Sequence, residues 1–274
     1  MATTLKDHGT ARTSAAGKPS GPSATGRLAA LGRAEWTLLI RNRSALFVAL
    51  LMPLIMVVAT KSSLDELDLG KAGMSVVEAS MTAGIGLVLL LVIHLNLVSA
   101  YVARREELVL KRLRTGEVPD HEILVGTALP AVGLALTQCV LLLAGGVLVM
   151  DLSAPRRPDL LIAGIVIGAV LLTALAAVTA TVTRTVESAQ ITTMPMFLVS
   201  VAGSGLLVPL EVMPEKMASV CELLPVTGVM TLVRAGWLGG ADSADVMRAV
   251  VITLVWTALS VFAVSKWFRW EPRR

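Results

Sequence analysis

Residues 79–103 read ASMTAGIGLVLLLVIHLNLVSAYVA and contain no Asp, Glu, Lys or Arg. A helix rises about 1.5 Å per residue, so a helix of this length is long enough to cross roughly 30 Å of hydrocarbon. Five further charge-free stretches have the same character: 44–60, 123–150, 160–183, 188–210 and 249–265. The sequence therefore predicts an all-α membrane protein with six transmembrane helices, at about 44–61, 80–102, 124–150, 160–182, 189–208 and 247–266.

The composition and the distribution of charge agree with this architecture. Hydrophobic residues make up 55% of the 274 residues and charged residues only 16%, which is more apolar surface than a soluble domain of this length buries. An even number of spans places both termini on one side of the membrane. Seventeen of the 24 Lys and Arg residues fall on that side, so the positive-inside rule predicts a multi-pass plasma-membrane protein with cytoplasmic termini.

Three segments divide the chain. Residues 1–26 are rich in Thr, Ser, Ala, Gly and Pro and lack the apolar core of a signal peptide, so we expect a disordered cytoplasmic tail. Residues 27–268 form the predicted transmembrane domain. Residues 269–274 form a short cytoplasmic tail at the C-terminal end.

The segment 27–43, RLAALGRAEWTLLIRNR, has the spacing of an amphipathic helix that lies in the headgroup plane. Its Leu residues share one face, whereas Arg33, Thr37 and Arg41 share the opposite one. Glu35 projects from the apolar side. Its carboxylate either snorkels to pair with a neighbouring Arg, or it forms a buried ion pair with a cytoplasmic loop that moves during a functional cycle.

The loop 104–122, RREELVLKRLRTGEVPDHE, is the only sizeable internal cytoplasmic connection in this prediction. Leu110 and Leu113 supply a small apolar contact, and the helix should end at Thr115-Gly116. Such a helix suits docking onto a cytoplasmic partner, although a solvated loop retained for topology has the same pattern. Helical spacing places four charged residues on one side: Arg104, Glu107, Lys111 and Arg114.

The segment 208–247 should lie on the outer face. A short amphipathic helix is predicted between Pro214 and Pro225, and the following stretch VTGVMTLVRAGWLGG is too short, and too interrupted by Gly and Arg234, to span alone. We expect a re-entrant or interfacial helix that ends at Gly239-Gly240. It either covers an exit as a lid or packs the bundle as a cap. The apolar face of the first helix consists of Met213, Met217, Val220 and Leu224.

Few polar residues lie within the spans. His94 and Asn96 are about 200° apart on a helix, so both cannot line one cavity, and each either bonds a neighbouring helix or serves a transport path. The motif from Gly164 to Gly168 is a close-packing GxxxG signal. The fifth span carries a mildly polar stripe that suits either an amphiphile's path or helix packing: Thr193, Phe197, Ser200 and Ser204.

Several kinds of site are missing from the sequence. It contains no G-x-x-x-x-G-K-[ST] motif, no His/Cys cluster with metal spacing and no G-x-S-x-G motif. The spans also lack the buried carboxylates on which ion-driven carriers depend. We therefore expect no catalytic residue, no metal and no bound cofactor in this chain, so a transport function would need energy from elsewhere.

The loop residues and the architecture together resemble the ABC type-2 transporter permeases, and in particular daunorubicin-resistance-type drug-export permeases. The resemblance covers about residues 27–268 and rests on Glu35 with the Arg41-Asn42-Arg43 run, on RREELVLKRLRTGEVP and on SGLLVPLEVMPEKMASVCELLPVTGVMTLVRAGWLGG. The family usually has Gly after the Arg-Glu pair of the loop, where this chain has Glu107.

The resemblance implies a permease subunit of an ATP-driven exporter, without enzymatic activity of its own, in a bacterial plasma membrane. It would pair with a second copy or a related permease and with two copies of a separate ATPase that uses ATP and Mg²⁺; no nucleic-acid partner is implied. The cargo would be an amphiphilic antibiotic or drug-like natural product. Alternatives are a lipid, glycolipid or peptide cargo, and, in another class, a membrane scaffold or membrane-embedded enzyme.

The resemblance also implies roles for individual residues. ATP binding would close the paired ATPases against the coupling helices and switch an inward cavity to an outward one. The residues implied at the ATPase contact are Glu35, Arg41, Arg105, Glu106, Leu110, Arg112 and Leu113. Those implied along the substrate path are His94 or Asn96, Thr193, Met196, Phe197 and Ser200.

Overall fold

The longest helical rod among the residues that the structure describes begins at a capping box and runs for 31 residues, Val76–Glu106. The Ser75 side chain accepts a hydrogen bond from the Glu78 amide at 3.2 Å, and the Glu78 side chain accepts one from the Ser75 amide at 2.8 Å. Two backbone N–H groups at the start of the helix therefore have hydrogen-bond partners. The rod consists of helix α1 (Val76–Val88), a π-helical segment (Leu89–Leu95) and helix α2 (Asn96–Glu106). It contains the predicted second span.

The computed structural model describes residues 75–115, 119–149, 152–268 and 270–271, together with Thr37 and Ile55. Within these residues all regular structure is helical, which confirms the predicted all-α class. The predicted first span and the predicted amphipathic segment 27–43 lie outside the described residues, apart from those two positions. So do the two predicted tails, except for residues 270–271.

The remaining elements follow in chain order. They are α3 (Val109–Thr115), α4 (Asp120–Val149), α5 (Pro158–Val182), α6 (Val186–Gly203), a 3-10 turn (Leu210–Val212), α7 (Glu215–Cys221), α8 (Pro225–Leu238) and α9 (Ser243–Trp267). Helices α4, α5 and α9 coincide with the predicted third, fourth and sixth spans.

Four helices of the described part are long and apolar enough to cross a membrane: the rod, α4, α5 and α9. The predicted fifth span corresponds to α6, which is not among these four. That prediction extended the span to residue 208, but α6 ends at Gly203 because Gly205 has a φ of 74° and turns the chain. At 18 residues, α6 is roughly 27 Å long.

Helices α7 and α8 form a bent pair with an angle of 101° between them, as in a broken span or a re-entrant loop. Pro225 opens α8, where its missing N–H costs nothing, and Gly239 closes it with a φ of 68°. These are the boundaries that the sequence predicts. The pair, if counted as one span, brings the number of candidate spans to five.

Helix α8 packs in the middle of the bundle, mainly against α5 and α9. A Cβ built on Gly164 of α5 would lie 3.1 Å from the Val233 amide nitrogen of α8, and one on Gly168 would lie 2.6 Å from Val229 Cγ1. The GxxxG motif therefore brings α5 against α8, as close-packing glycines do in membranes. The predicted apolar face of α7 is not packed in this way, because Met217 and Val220 are exposed.

Candidate functional site

Arg105, at the end of α2, is turned into the protein and only 1% exposed. Its Nη1 donates to the Ala180 carbonyl at 2.9 Å, and its Nη2 donates to the carbonyls of Thr183 at 2.6 Å and Arg184 at 3.3 Å. The last carbonyls of a helix have no partner within it and carry partial negative charge. Arg105 therefore caps the C-terminal end of α5 from a position 75 residues earlier in the chain.

One turn before Arg105, Tyr101 connects α2 to two further elements. Its hydroxyl donates to the Leu124 carbonyl in the first turns of α4 at 3.0 Å, and its ring stands edge-on to Phe268, with centroids 6.3 Å apart. Phe268 follows α9 directly, and its ring stands edge-on to that of Trp270, with centroids 5.0 Å apart. We call Tyr101 and Arg105, with the groups that they contact, the anchor cluster. It joins α2 to α4, α5 and the end of α9.

The short loop helix α3 follows the anchor cluster after a break at Glu107 and Leu108. Leu108 has a φ of 58°, the left-handed region that L-residues rarely adopt. The helix predicted in this loop therefore begins at Val109, because Arg105 and Glu106 belong to α2. The left-handed residue, Leu108, directly follows Glu107. Glu107 itself occupies the position at which the family usually has Gly.

The predicted ATPase-contact residues of this loop divide by exposure. Leu110 is fully buried and fixes α3 to the bundle, whereas Glu106 and Arg112 are exposed and Leu113 is half-buried. Glu35 and Arg41 lie outside the described residues. Arg105, also predicted at this contact, is buried, and its guanidinium donates to three backbone carbonyls.

His94 and Asn96 face opposite ways, as their spacing predicts. His94 is fully buried beside the Leu172 backbone, and neither ring nitrogen makes a well-formed hydrogen bond with the described residues. Asn96 is exposed. His94 lies in the π-helical segment, a feature often found at functional sites that the sequence of residues 89–95, apolar apart from His94, did not reveal.

The polar stripe of α6 faces the interior of the bundle. Thr193 and Ser200 are at most 2% exposed, and Ser204 just beyond the helix is fully buried. Met196 and Phe197 are partly buried against the hydrophobic core. The opposite side of α6 is exposed, and beyond Gln190 it is apolar.

The α7–α8 pair is fastened to its neighbours by polar contacts that sequence reasoning missed. The buried Arg234 of α8 donates to the Gly205 carbonyl, Glu222 pairs with Arg248 of α9 at 2.6 Å, and Trp256 Nε1 donates to the Leu223 carbonyl at 2.8 Å. A cavity of about 440 Å³ lies between these elements. Arg234, a charged residue in an otherwise apolar segment, could have indicated such a buried polar contact. The sequence prediction treats it only as an interruption of that segment.

The long apolar helices and the bent α7–α8 pair define a multi-pass helical membrane protein. Residues 27–238 match the family model of the ABC-2 type transporter, and the chain belongs to that family. This confirms the family that the sequence resembles. Such chains are membrane transport components and generally work with an ABC ATPase subunit. No curated protein matches the chain significantly. In the described ranges, no group of His, Cys, Asp or Glu could hold a metal ion.

Proposed function

We propose that this chain is the permease subunit of an ATP-driven exporter that moves an amphiphilic, drug-like molecule out across a bacterial plasma membrane. Family membership over residues 27–238 carries the proposal. The energy comes from ATP and Mg²⁺ bound by a separate ATPase, because the sequence has no P-loop. Two permease chains and two ATPase chains form the working complex.

The end of the bundle that carries the anchor cluster and α3 is the cytoplasmic end. The excess of Lys and Arg in the sequence on that side supports this orientation. The ATPase docks on α3, where Glu106 and Arg112 are exposed and the buried Leu110 holds the helix in place. The α7–α8 pair then lies toward the outer face.

The substrate path runs along the rod and α6. Asn96 is the better candidate of the two polar residues in the rod, because it is exposed and within reach of a second permease chain or a cargo. His94 is enclosed within one chain. The inward stripe with Thr193, Phe197 and Ser200 becomes part of the path when the bundle opens.

Reconstitution tests this function. The tagged chain is purified with its bound ATPase and placed in proteoliposomes with daunorubicin, or with a fluorescent phospholipid in a second arm. We expect ATP-dependent movement of daunorubicin, and none when the P-loop lysine of the ATPase is replaced by alanine. Movement of the phospholipid alone would favour a lipid exporter. A chain that retains no ATPase and moves neither probe would favour a scaffold.

A further inference from the structure

We propose that Arg105 is a positioning residue that makes the loop helix α3 and the α5–α6 junction move as one body. The junction consists of the end of α5, residues 183–185 and the start of α6. The inference rests on the proposed function only for the source of the motion, which is the ATPase. Its structural part concerns this chain alone.

The first step is the length of the connection between α3 and Arg105. Only Glu107 and Leu108 separate α2 from α3, and the buried Leu110 fixes α3 against the bundle. A displacement of α3 therefore also moves the end of α2. There, Arg105 and Tyr101 donate hydrogen bonds to neighbouring helices.

The second step is the shape of the guanidinium group. Its planar fork presents several donors in a fixed arrangement. In this protein it binds Ala180 within α5 and both Thr183 and Arg184 beyond the end of α5. One side chain therefore holds a helix end and the turn that leads into α6. Lysine has a single ammonium on a flexible stem and reproduces this bridge only in part.

The third step is the position of α5 in the bundle. Helix α5 contacts both α8 and α9 extensively, and its Gly164 and Gly168 leave little freedom against α8. A packed interior transmits a displacement instead of absorbing it. Movement of α3 thus reaches the re-entrant pair through Arg105 and α5.

Distance measurements on the chain alone test the structural part. Spin labels are placed at Glu107→Cys and Glu187→Cys, both exposed, in a Cys221→Ser background in lipid nanodiscs. We expect a narrow distance distribution that broadens in Arg105→Gln and is partly restored in Arg105→Lys. Arg104→Gln removes the same charge from the adjacent residue and should leave the width unchanged. Equal widths in Arg105→Gln and the parent would overturn the proposal.

The complex with the ATPase tests the coupling. On trapping with ATP and vanadate, the distance between Glu107 and Glu187 should stay constant, while the distance between labels at Met217→Cys in the two permease chains changes. A change in the first distance in the parent protein would overturn the proposal, even if Arg105→Gln does not fold. In Arg105→Gln the change at Met217 should be lost although the ATPase remains bound, and Arg104→Gln should retain it. Failure to retain an ATPase would instead count against the proposed function, and the measurement on the chain alone would still decide about Arg105.

Discussion

Gly236 of α8 lies so close to Leu161 of α5 that an added Cβ would sit 2.6 Å from the Leu161 Cα. The obstacle is backbone, which cannot rotate away as a side chain can. The same two helices are joined by a hydrogen bond from the Arg157 amide to the Gly236 carbonyl at 2.9 Å. This contact holds α8 in the bundle.

Gly236→Ala should therefore destabilise the protein by about 1–3 kcal/mol, the usual cost of overpacking. Thermal unfolding in detergent measures the effect. Gly145→Ala in α4 is the control, because a Cβ there meets nothing within 4 Å and alanine is the better helix former. Equal melting temperatures for the two variants would contradict the close contact.

Leu108 provides a test of the break before α3. At a φ of 58°, glycine avoids the clash that any Cβ suffers, and a β-branched residue suffers most. Leu108→Gly should be more stable than Leu108→Val by about 1 kcal/mol. The same two substitutions at Leu148, which is helical and exposed, should rank in the opposite order. The same ranking at both positions would mean that Leu108 is not left-handed.

Cysteine labelling tests the proposed orientation. In a Cys221→Ser background, Lys216→Cys should react with an impermeant maleimide added to intact cells. Arg112→Cys should react only after the membrane is opened. Labelling of Arg112→Cys from outside would invert the topology and remove α3 from the proposed ATPase contact.

Reversal of a surface charge on the loop tests whether the ATPase docks there. Glu106→Lys changes an exposed side chain, so unfolding stability should shift by no more than about 0.5 kcal/mol. Retention of the ATPase during purification should nevertheless fall, because the charge at the docking face is reversed. Leu110→Asp is a poor probe of docking, since it buries a carboxylate and should destabilise the chain itself. Full retention of the ATPase by Glu106→Lys would place docking elsewhere.

The two polar residues of the rod should respond differently to leucine. His94→Leu replaces a buried imidazole that lacks well-formed hydrogen bonds, so stability should rise or stay within about 1 kcal/mol. Asn96→Leu should leave stability unchanged but alter which cargoes are moved. A loss of stability in His94→Leu would mean that the imidazole makes stabilising contacts, and unchanged transport in Asn96→Leu would mean that Asn96 does not line the path.

Sequence reasoning predicted the elements that depend on local chemistry. Charge-free length located the rod, α4, α5 and α9, because lipid excludes charged side chains over a fixed thickness. Pro225 and Gly239 located the ends of α8. The GxxxG motif identified the close face of α5, although not its partner.

Less of the candidate site could be predicted from the sequence. Periodicity correctly separated His94 from Asn96 by angle, but it does not say which of the two faces the bundle. The same limit applies to the stripe through Thr193 and Ser200, which the structure turns inward. The family resemblance implied Arg105 only at the ATPase contact, and nothing in the neighbouring sequence indicated that its side chain binds backbone carbonyls at the end of α5.

The sequence by itself therefore determined the class of protein, the location of four of its spans and its family resemblance, since these follow from the composition and motifs of contiguous segments. Only the tertiary structure decided that Arg105 binds carbonyls 75 to 79 residues away and that a 14-residue helix fills the middle of the bundle. It also decided that the rod contains a π-helical segment at Leu89–Leu95. The reason is physical: hydrophobicity and spacing fix which residues form a helix, whereas the partner of each face depends on packing between segments that are distant in the chain.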